Sequence, residues 1–97
     1  MLRVTFEGVL ETGTHGRGTY TWITADEETA DLLEAIPVPR IGFQAIKVRA
    51  TVGTTSWDTS VFPSNGSYLL LISKKLRAAE TLETGDAVTV HLDVVGT

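Results

Sequence analysis

Apolar and polar residues alternate along several separated stretches of this chain, and this pattern limits its fold more than any other feature. A period of two places successive side chains on opposite faces of a β-strand, whereas a helix needs a period of about 3.6. The alternation predicts strands over residues 2–6, 19–23, 44–52 and 88–94. Residues 57–62 predict a short strand that Pro63 ends, and the uniformly apolar residues 68–72 predict a central strand covered on both faces.

Two segments carry helical signals instead. Thr24 and Glu27 have the spacing of a capping box, which predicts a helix that begins there and stops at Pro37. Ser73 is the predicted N-cap of a second, shorter helix that reaches Glu80. The apolar face of the first helix follows the spacing i, i+3, i+4 and i+7 through Thr29, Leu32, Leu33 and Ile36.

Short turns that contain glycine separate these elements. Residues 13–18 predict a hairpin loop, residues 53–56 a second loop and residues 84–86 a turn. Asn65 and Gly66 form a strong turn signal, because both residues tolerate a positive φ. The 97 residues include no cysteine and have room for one hydrophobic core, which predicts a single domain over residues 1–97. The predicted fold is therefore mainly β, with about six strands and two short helices.

The net charge of −4 is distributed unevenly along the chain. Residues 1–39 carry −5, residues 40–77 carry +5 and residues 78–97 carry −4. The acidic total opposes nucleic-acid binding, because affinity for phosphates depends on a basic surface. The cationic middle segment either ties the fold together against its acidic ends or attracts an anion.

Five cations of the middle segment are candidates for an anion-binding site. Lys74 and Lys75 fall in the first turn of the predicted second helix, and Arg77 follows on the same side. Free amides at a helix N-terminus, with lysines beside them, favour a phosphate or a carboxylate. Lys47 and Arg49 share the polar face of a predicted strand and are included in the candidate site. The alternative, that all five side chains are solvated and offset by nearby acids, stays open.

The larger aromatic residues divide into core and pocket candidates. Phe6, Phe62 and Tyr68 are predicted to lie in the core. Trp22 and Trp57 are large enough to line a pocket at the mouth of a barrel. Packing across the barrel is the alternative for both tryptophans.

The sequence contains no recognisable catalytic or metal-binding motif. His91 and Asp93 share one face of a predicted strand, but no nucleophile-elbow sequence accompanies them. Two histidines and no cysteine would leave a metal dependent on carboxylates. Residues 13–18 lack the Gly-Lys-Ser/Thr ending of a phosphate-binding loop. We therefore predict no metal and no cofactor, and whether the protein is an enzyme stays undecided.

The compartment is predicted from the longest apolar run and from the residues that follow Met1. The longest strongly apolar run, residues 68–72, is far shorter than the ~20 residues of a membrane helix. Met1 leads directly into a strand pattern rather than into a signal peptide. We expect a soluble, cytoplasmic protein without a membrane partner, and the sequence leaves its oligomeric state open.

Five stretches in the second half of the chain resemble one known family in order and spacing. They are residues 48–53 (VRATVG), 57–63 (WDTSVFP), 66–71 (GSYLLL), 74–79 (KKLRAA) and 82–90 (LETGDAVTV). Together they are similar to the domain of unknown function 1905, and the first half follows the family's looser strand-loop-strand-helix plan. Residues 64–67 read SNGS where relatives often have a Gly-x-Gly context, which affects the expected turn type.

The resemblance implies a small double-split β-barrel, an architecture that AbrB-like transition regulators also use. Members of the family occur alone or fused to a domain associated with bacteriocin resistance. The family has no established activity, so the resemblance assigns no catalytic residue.

Two functions follow as hypotheses from the sequence. The first is a ligand-binding or interaction module, with a link to stress or bacteriocin tolerance through the fused relatives. The second is a small enzyme that acts on an anionic, phosphate- or carboxylate-bearing substrate. Both allow a small anionic ligand as the partner.

DNA binding provides a test of the charge argument, since architecture shared with DNA-binding regulators does not carry function. We expect no duplex binding tighter than the nonspecific range of about 10⁻⁴–10⁻⁶ M at physiological salt. A fluorescence-anisotropy titration with a random-sequence duplex measures this affinity. Submicromolar binding that charge reversal at Lys74 or Arg77 weakens would show that the local cations outweigh the acidic total.

Overall fold

The fold consists of antiparallel strands and two helices that pack against them. The computed structural model of the chain describes residues 2–96, with His15 described by its backbone only. In chain order the elements are β1 (Leu2–His15), β2 (Gly18–Thr24), α1 (Glu27–Ala35), β3 (Ile46–Val52), β4 (Thr55–Ser64), β5 (Ser67–Leu71), α2 (Lys74–Glu80) and β6 (Ala87–Val94).

The six strands close into a barrel in the order β1-β2-β5-β4-β3-β6, in which all neighbours are antiparallel. Every second residue of β3 and of β6 is buried, as the alternation predicts. The largest fully buried side chains are Leu10, Ile23, Leu33, Ile46, Val48, Val61, Leu70, Val90, Leu92 and Val94. The predicted mainly β barrel of about six strands with two short helices is confirmed.

One long strand, β1, closes the barrel because it serves two neighbours in succession. Its residues 2–9 pair with β6, and its residues 10–15 pair with β2. Gly8 lies just before this change of partner, on the face that points inward between Phe6 and Leu10. A Cβ at Gly8 would lie 2.5 Å from Cγ2 of Ile23 and 2.9 Å from the carbonyl oxygen of Thr24. The close approach of β1 to β2 therefore depends on a residue without a side chain.

The hairpin between β1 and β2 is tighter than the sequence predicts. Residues 13–15 and 18 belong to the strands rather than to a loop, and only Gly16 and Arg17 form the turn. Gly16 has a φ of 62°, a conformation that glycine adopts without steric cost. A two-residue turn of this kind matches the twist of the strands, so that pairing extends to its limit.

Helix α1 begins two residues later than the predicted capping box. Asp26, not Thr24, is the N-cap, and its carboxylate accepts a hydrogen bond from the amide of Thr29. Thr24 instead ends β2, where its hydroxyl donates to the carboxylate of Glu11 at 3.0 Å. The apolar face also differs, since Ala30 is buried whereas Leu32 is 50% exposed. Thr24 is paired with Leu69 of β5, so it belongs to the sheet and does not cap the helix.

Pro63 does not end β4, contrary to the prediction. The strand continues to Ser64, with Pro63 opposite Tyr68 of β5. The nitrogen of Pro63 points toward the β3 side, where pairing stops at Ile46 opposite Val61. No ladder hydrogen bond is lost there, which is why this strand tolerates proline.

Strand β5 is covered on one face only, whereas the sequence predicts cover on both. Leu70 is buried in the barrel, but Leu71 is 44% exposed on the opposite face. Phe6 and Tyr68 are buried as predicted, while Phe62 is only half-buried. Gln44 lies outside β3, in a short 3₁₀ turn over Gly42–Gln44, with a φ of 60°.

The contact between β1 and β2 at Gly8 can be tested by substitution. Gly8→Ala is expected to destabilise the protein by about 1–3 kcal/mol, because the added methyl group overpacks Ile23 and the backbone of Thr24. Chemical denaturation of both proteins measures the difference. Gly42→Ala is the matched control, since a Cβ there meets nothing within 4 Å. Equal losses in both variants would contradict the close approach.

Candidate functional site

The barrel wall is open where β5 ends. β5 pairs with β2 only at residues 22–24 of β2, and with β4 only at residues 61–64 of β4. The earlier halves of β2 and β4 have no strand between them, because the chain leaves the sheet after Leu71 and turns into α2. This gap, the β2–α2 cleft, encloses about 440 Å³ and is lined by Thr19, Tyr20, Thr21, Trp57, Thr59, Leu71, Ile72, Ser73, Lys74 and Arg77.

Helix α2 forms the side of the cleft that carries charge. Ser73 caps it, accepting a hydrogen bond from the amide of Leu76 at 3.1 Å, as the sequence predicts. Leu76 is 5% exposed and joins the core, which holds the helix against the barrel. The helix ends at Thr81, which adopts a left-handed φ of 54°. The cap occupies the amide of Leu76, and the charged groups that α2 brings to the cleft are Lys74 and Arg77.

The carboxylate of Glu80 fixes the far end of α2 to the turn between β3 and β4. Its Oε2 accepts a hydrogen bond from the hydroxyl of Thr55 at 2.6 Å, and weaker contacts come from Thr54. The bond from Thr55 is the main cause that lowers the pKa of Glu80. A side chain at Gly53 would overlap this carboxylate. The orientation of α2 beside the cleft therefore depends on one charged group.

Two cations in the cleft lack any compensating acid. The side chains of Lys74 and Arg77 form no hydrogen bond or ion pair with another described residue, and the Nε of Arg77 is buried without a partner. Among the described side chains that line the cleft, none is a carboxylate. Positive charge set between low-dielectric walls focuses its field on a bound anion. The electrostatics of the cleft favour a phosphate or a carboxylate.

Apolar and aromatic surface continues from the cleft in two directions. Trp57 is half-buried against the core and lines both the cleft and a neighbouring recess that holds Lys75. Tyr20 and Leu71 connect the cleft with a shallow groove under Trp22. The indole of Trp22 lies over Gly13, where a Cβ would be 2.7 Å from the ring. Both predicted pocket tryptophans thus line concave surface, but only Trp57 borders the cleft.

The five candidate cations separate into groups. Lys74 and Arg77 share the β2–α2 cleft, and Lys75 borders the adjoining recess. Arg49 forms an exposed ion pair with Asp58 at 2.9 Å. Lys47 lies in a different depression, which Asp58 also lines. The structure therefore brings two of the five together in one cleft, with a third beside them.

His91 and Asp93 are each hydrogen-bonded to a residue of β1 rather than to each other. Nδ1 of His91 is hydrogen-bonded to the hydroxyl of Thr5 at 2.9 Å. Arg3 donates to both oxygens of Asp93, at 2.8 and 2.9 Å, and this hydrogen bonding lowers the pKa of the carboxylate. Within residues 2–96 no cluster of three or more His, Cys, Asp or Glu side chains has a geometry for a metal ion.

Seven of the ten residues that line the cleft were not predicted as site residues, namely Thr19, Tyr20, Thr21, Thr59, Leu71, Ile72 and Ser73. Tyr20 and Thr19 look like ordinary members of a strand, and Leu71 looks like a core residue. Their role follows from the early end of β5, which leaves one edge of β2 and one face of Leu71 open. The turn from strand to helix at Ser73 is the sequence signal that marks this end.

A comparison with family models identifies a family that this chain matches. The model of the family described as domain of unknown function (DUF1905) matches residues 6–92, which is most of the chain. No curated protein matches the chain. No helix in the described part of the chain is both long and apolar enough to cross a membrane.

The link between Glu80 and the β3–β4 turn predicts a pH-dependent stability. Since the pKa of Glu80 is lowered in the folded state, its stabilisation is complete above the unfolded-state pKa. The stabilisation is lost as the pH falls through the folded-state pKa. Glu80→Gln is therefore expected to lower Tm near pH 7 and to have a shrinking effect toward pH 3, measured by thermal unfolding across that range.

Glu7→Gln is the matched control for this experiment, because Glu7 is an exposed carboxylate on β1. It is expected to leave Tm nearly unchanged at every pH. A constant difference between wild type and Glu80→Gln from pH 7 to pH 3 would contradict the role given to the charge.

Proposed function

This chain belongs to the DUF1905 family, and from that premise we propose that it is a binding module whose β2–α2 cleft takes a small anionic ligand. The family's description carries no activity, so the proposal is supported by the cleft itself. The ligand bears a phosphate or a carboxylate on an apolar body.

The observation that carries the proposal is the unpaired charge of Lys74 and Arg77 in one cleft. Two arginines of the strands have acidic partners instead: Arg3 pairs with Asp93, and Arg49 pairs with Asp58. Desolvating a cation is unfavourable unless a counter-charge approaches it. An anion between Lys74 and Arg77 supplies that charge.

The apolar part of the ligand is indicated by the rest of the lining. Trp57, Leu71 and Ile72 offer hydrocarbon and ring surface beside the two cations. Leu71 is 44% exposed, so covering it removes apolar surface from water. A ligand with an anionic end and an apolar end satisfies both parts of the cleft.

Binding is a better description of the cleft than catalysis of a reaction on an anionic substrate. General acid–base chemistry most often uses an imidazole or a carboxylate within reach of the reacting group. The described lining of the cleft has neither, and the hydroxyl of Ser73 already accepts a hydrogen bond from Leu76. The fused relatives of the family support a role in stress or bacteriocin tolerance.

Removing the charge of Lys74 or Arg77 tests the proposed site. Phenyl phosphate and benzoate are expected to raise the Tm of the wild type, and inorganic phosphate to do so more weakly. A ligand at ten times its Kd stabilises the native state by about 1.4 kcal/mol, or several degrees in Tm. Lys74→Met and Arg77→Met remove the charge but keep an unbranched, mainly apolar side chain, and each is expected to weaken binding roughly tenfold by isothermal titration calorimetry.

Lys47→Met and Arg49→Met are the matched controls, because both remove a cation outside the cleft. They are expected to bind the same ligands with unchanged Kd. If all four variants lose affinity equally, the ligand responds to net charge alone and the cleft is not the site.

A further inference from the structure

The edge of β2 that faces the cleft is available for backbone pairing, and this narrows the class of ligand. We infer that the β2–α2 cleft binds the C-terminal end of an extended peptide, whose backbone pairs with β2 and whose carboxylate lies at Lys74 and Arg77. The inference rests on the proposed function, because it uses the same two cations as the anion site. It adds a specific ligand chemistry and a second point of recognition.

The two strands that flank the cleft contribute to it in different ways. From β4, the lining includes Trp57 and Thr59, which are two residues apart and lie on one face of the strand. From β2, the lining includes the consecutive residues Thr19, Tyr20 and Thr21. Because side chains of a strand alternate between faces, a cavity bounded by three consecutive residues lies against the edge of the strand. β4 therefore offers side chains, and β2 offers backbone.

The hydrogen bonds of Thr21 show which way this edge points. The carbonyl oxygen of Thr21 accepts from the amide of Ile72 at 2.9 Å, so the backbone groups of Thr21 face β5 rather than β1. In an antiparallel ladder, alternate residues direct both their N–H and C=O to the same side. Thr19 consequently directs its amide and carbonyl into the cleft, and neither group pairs with another described residue.

The free stretch of β2 has the length of a short peptide. Pairing with β5 begins at Trp22, with Thr21 as the last contact, so residues 18–20 lie beyond the partner strand. At about 3.3 Å per residue, this stretch accommodates about three residues of an extended ligand. Strand addition of this kind obtains affinity from main-chain hydrogen bonds and specificity from pockets for side chains.

The chemistry of the cleft favours a chain end over an internal segment. The backbone of an internal peptide segment is neutral, whereas a C-terminal carboxylate carries the negative charge that would pair with Lys74 and Arg77. The exposed side of Leu71 and the ring of Trp57 suit an apolar side chain on the last residue. The ligand therefore matches the cleft at three places. Its α-carboxylate lies at the two cations, its extended backbone lies along the edge of β2, and its apolar last residue lies on the apolar lining.

Four synthetic probes separate the contributions of the ligand. They are acetyl-Gly-Val-Leu with a free carboxylate, its C-terminal amide, its analogue with a methylated backbone nitrogen at Val, and acetyl-Leu. Calorimetry with the wild-type protein is expected to show the free acid binding at least tenfold tighter than each of the other three. The amide lacks the charge, the methylated analogue lacks a donor, and acetyl-Leu lacks most of the backbone.

A pair of substitutions at Thr19 tests the edge from the side of the protein. Thr19→Pro removes the amide that faces the cleft, whereas Thr19→Val keeps it and changes only the side chain. The proline variant is expected to bind the free acid at least tenfold more weakly than the valine variant does, because both alter the side chain but only proline removes the amide. If Thr19→Pro does not fold, the methylated peptide tests the strand pairing from the side of the ligand with the unaltered protein.

The outcomes distinguish this inference from the function on which it rests. Equal affinity for acetyl-Leu and for acetyl-Gly-Val-Leu would overturn the backbone pairing while leaving an anion site. Equal affinity for the acid and the amide would overturn the role of the carboxylate. Binding of phenyl phosphate without binding of any peptide would overturn the peptide inference alone. Absence of binding by every anion, peptides included, would overturn both proposals.

Discussion

The pair of hydrogen bonds between Thr21 and Ile72 is the contact on which the rest of the cleft depends. The hydroxyl of Thr21 donates to the carbonyl oxygen of Ile72 at 2.7 Å, and the amide of Ile72 donates back to the carbonyl oxygen of Thr21 at 2.9 Å. Thr21 is buried, so its hydroxyl needs such a partner. The amide and the carbonyl of Ile72, just after β5, are therefore both hydrogen-bonded. The chain leaves the sheet there and begins α2. A longer β5 would fill the gap in the barrel wall.

Two polar anchors then fix the helices that the barrel cannot hold by strand pairing. Glu80 ties α2 to the turn between β3 and β4 through Thr55. On α1, Glu34 accepts a hydrogen bond from the buried hydroxyl of Tyr68 at 2.5 Å, and burial is the main cause that raises the pKa of this phenol. Each helix also inserts an apolar side chain into the core, Leu33 from α1 and Leu76 from α2. Both helices are thus positioned by burial and oriented by a carboxylate.

Charge along the chain is a poor guide to charge on the surface of this barrel. The segment of residues 40–77 carries +5, but β3 and α2 place its cations in separate depressions. Asp58 sits opposite Arg49 in the register of β3 and β4, so the single acid of that segment neutralises one of its cations. The pairing register of the sheet, which is a long-range property, pairs Arg49 with that acid, whereas Lys74 and Arg77 lie on α2 and line a cleft without a carboxylate.

The local patterns of the sequence were sufficient to locate the strands and the two helices, though not all of their ends, and to determine the buried faces of β3 and β6 and the cap at Ser73. Each of these depends on residues within a few positions of one another, where period and capping chemistry act directly. The cleft could not be derived in this way. Its lining joins residues of β2, of β4 and of the segment that leads from the end of β5 into α2, and it exists because β5 stops while β2 and β4 continue. Where one strand ends relative to its neighbours is decided by pairing between distant segments, and only the closed barrel decides which backbone edge and which two cations face the same space.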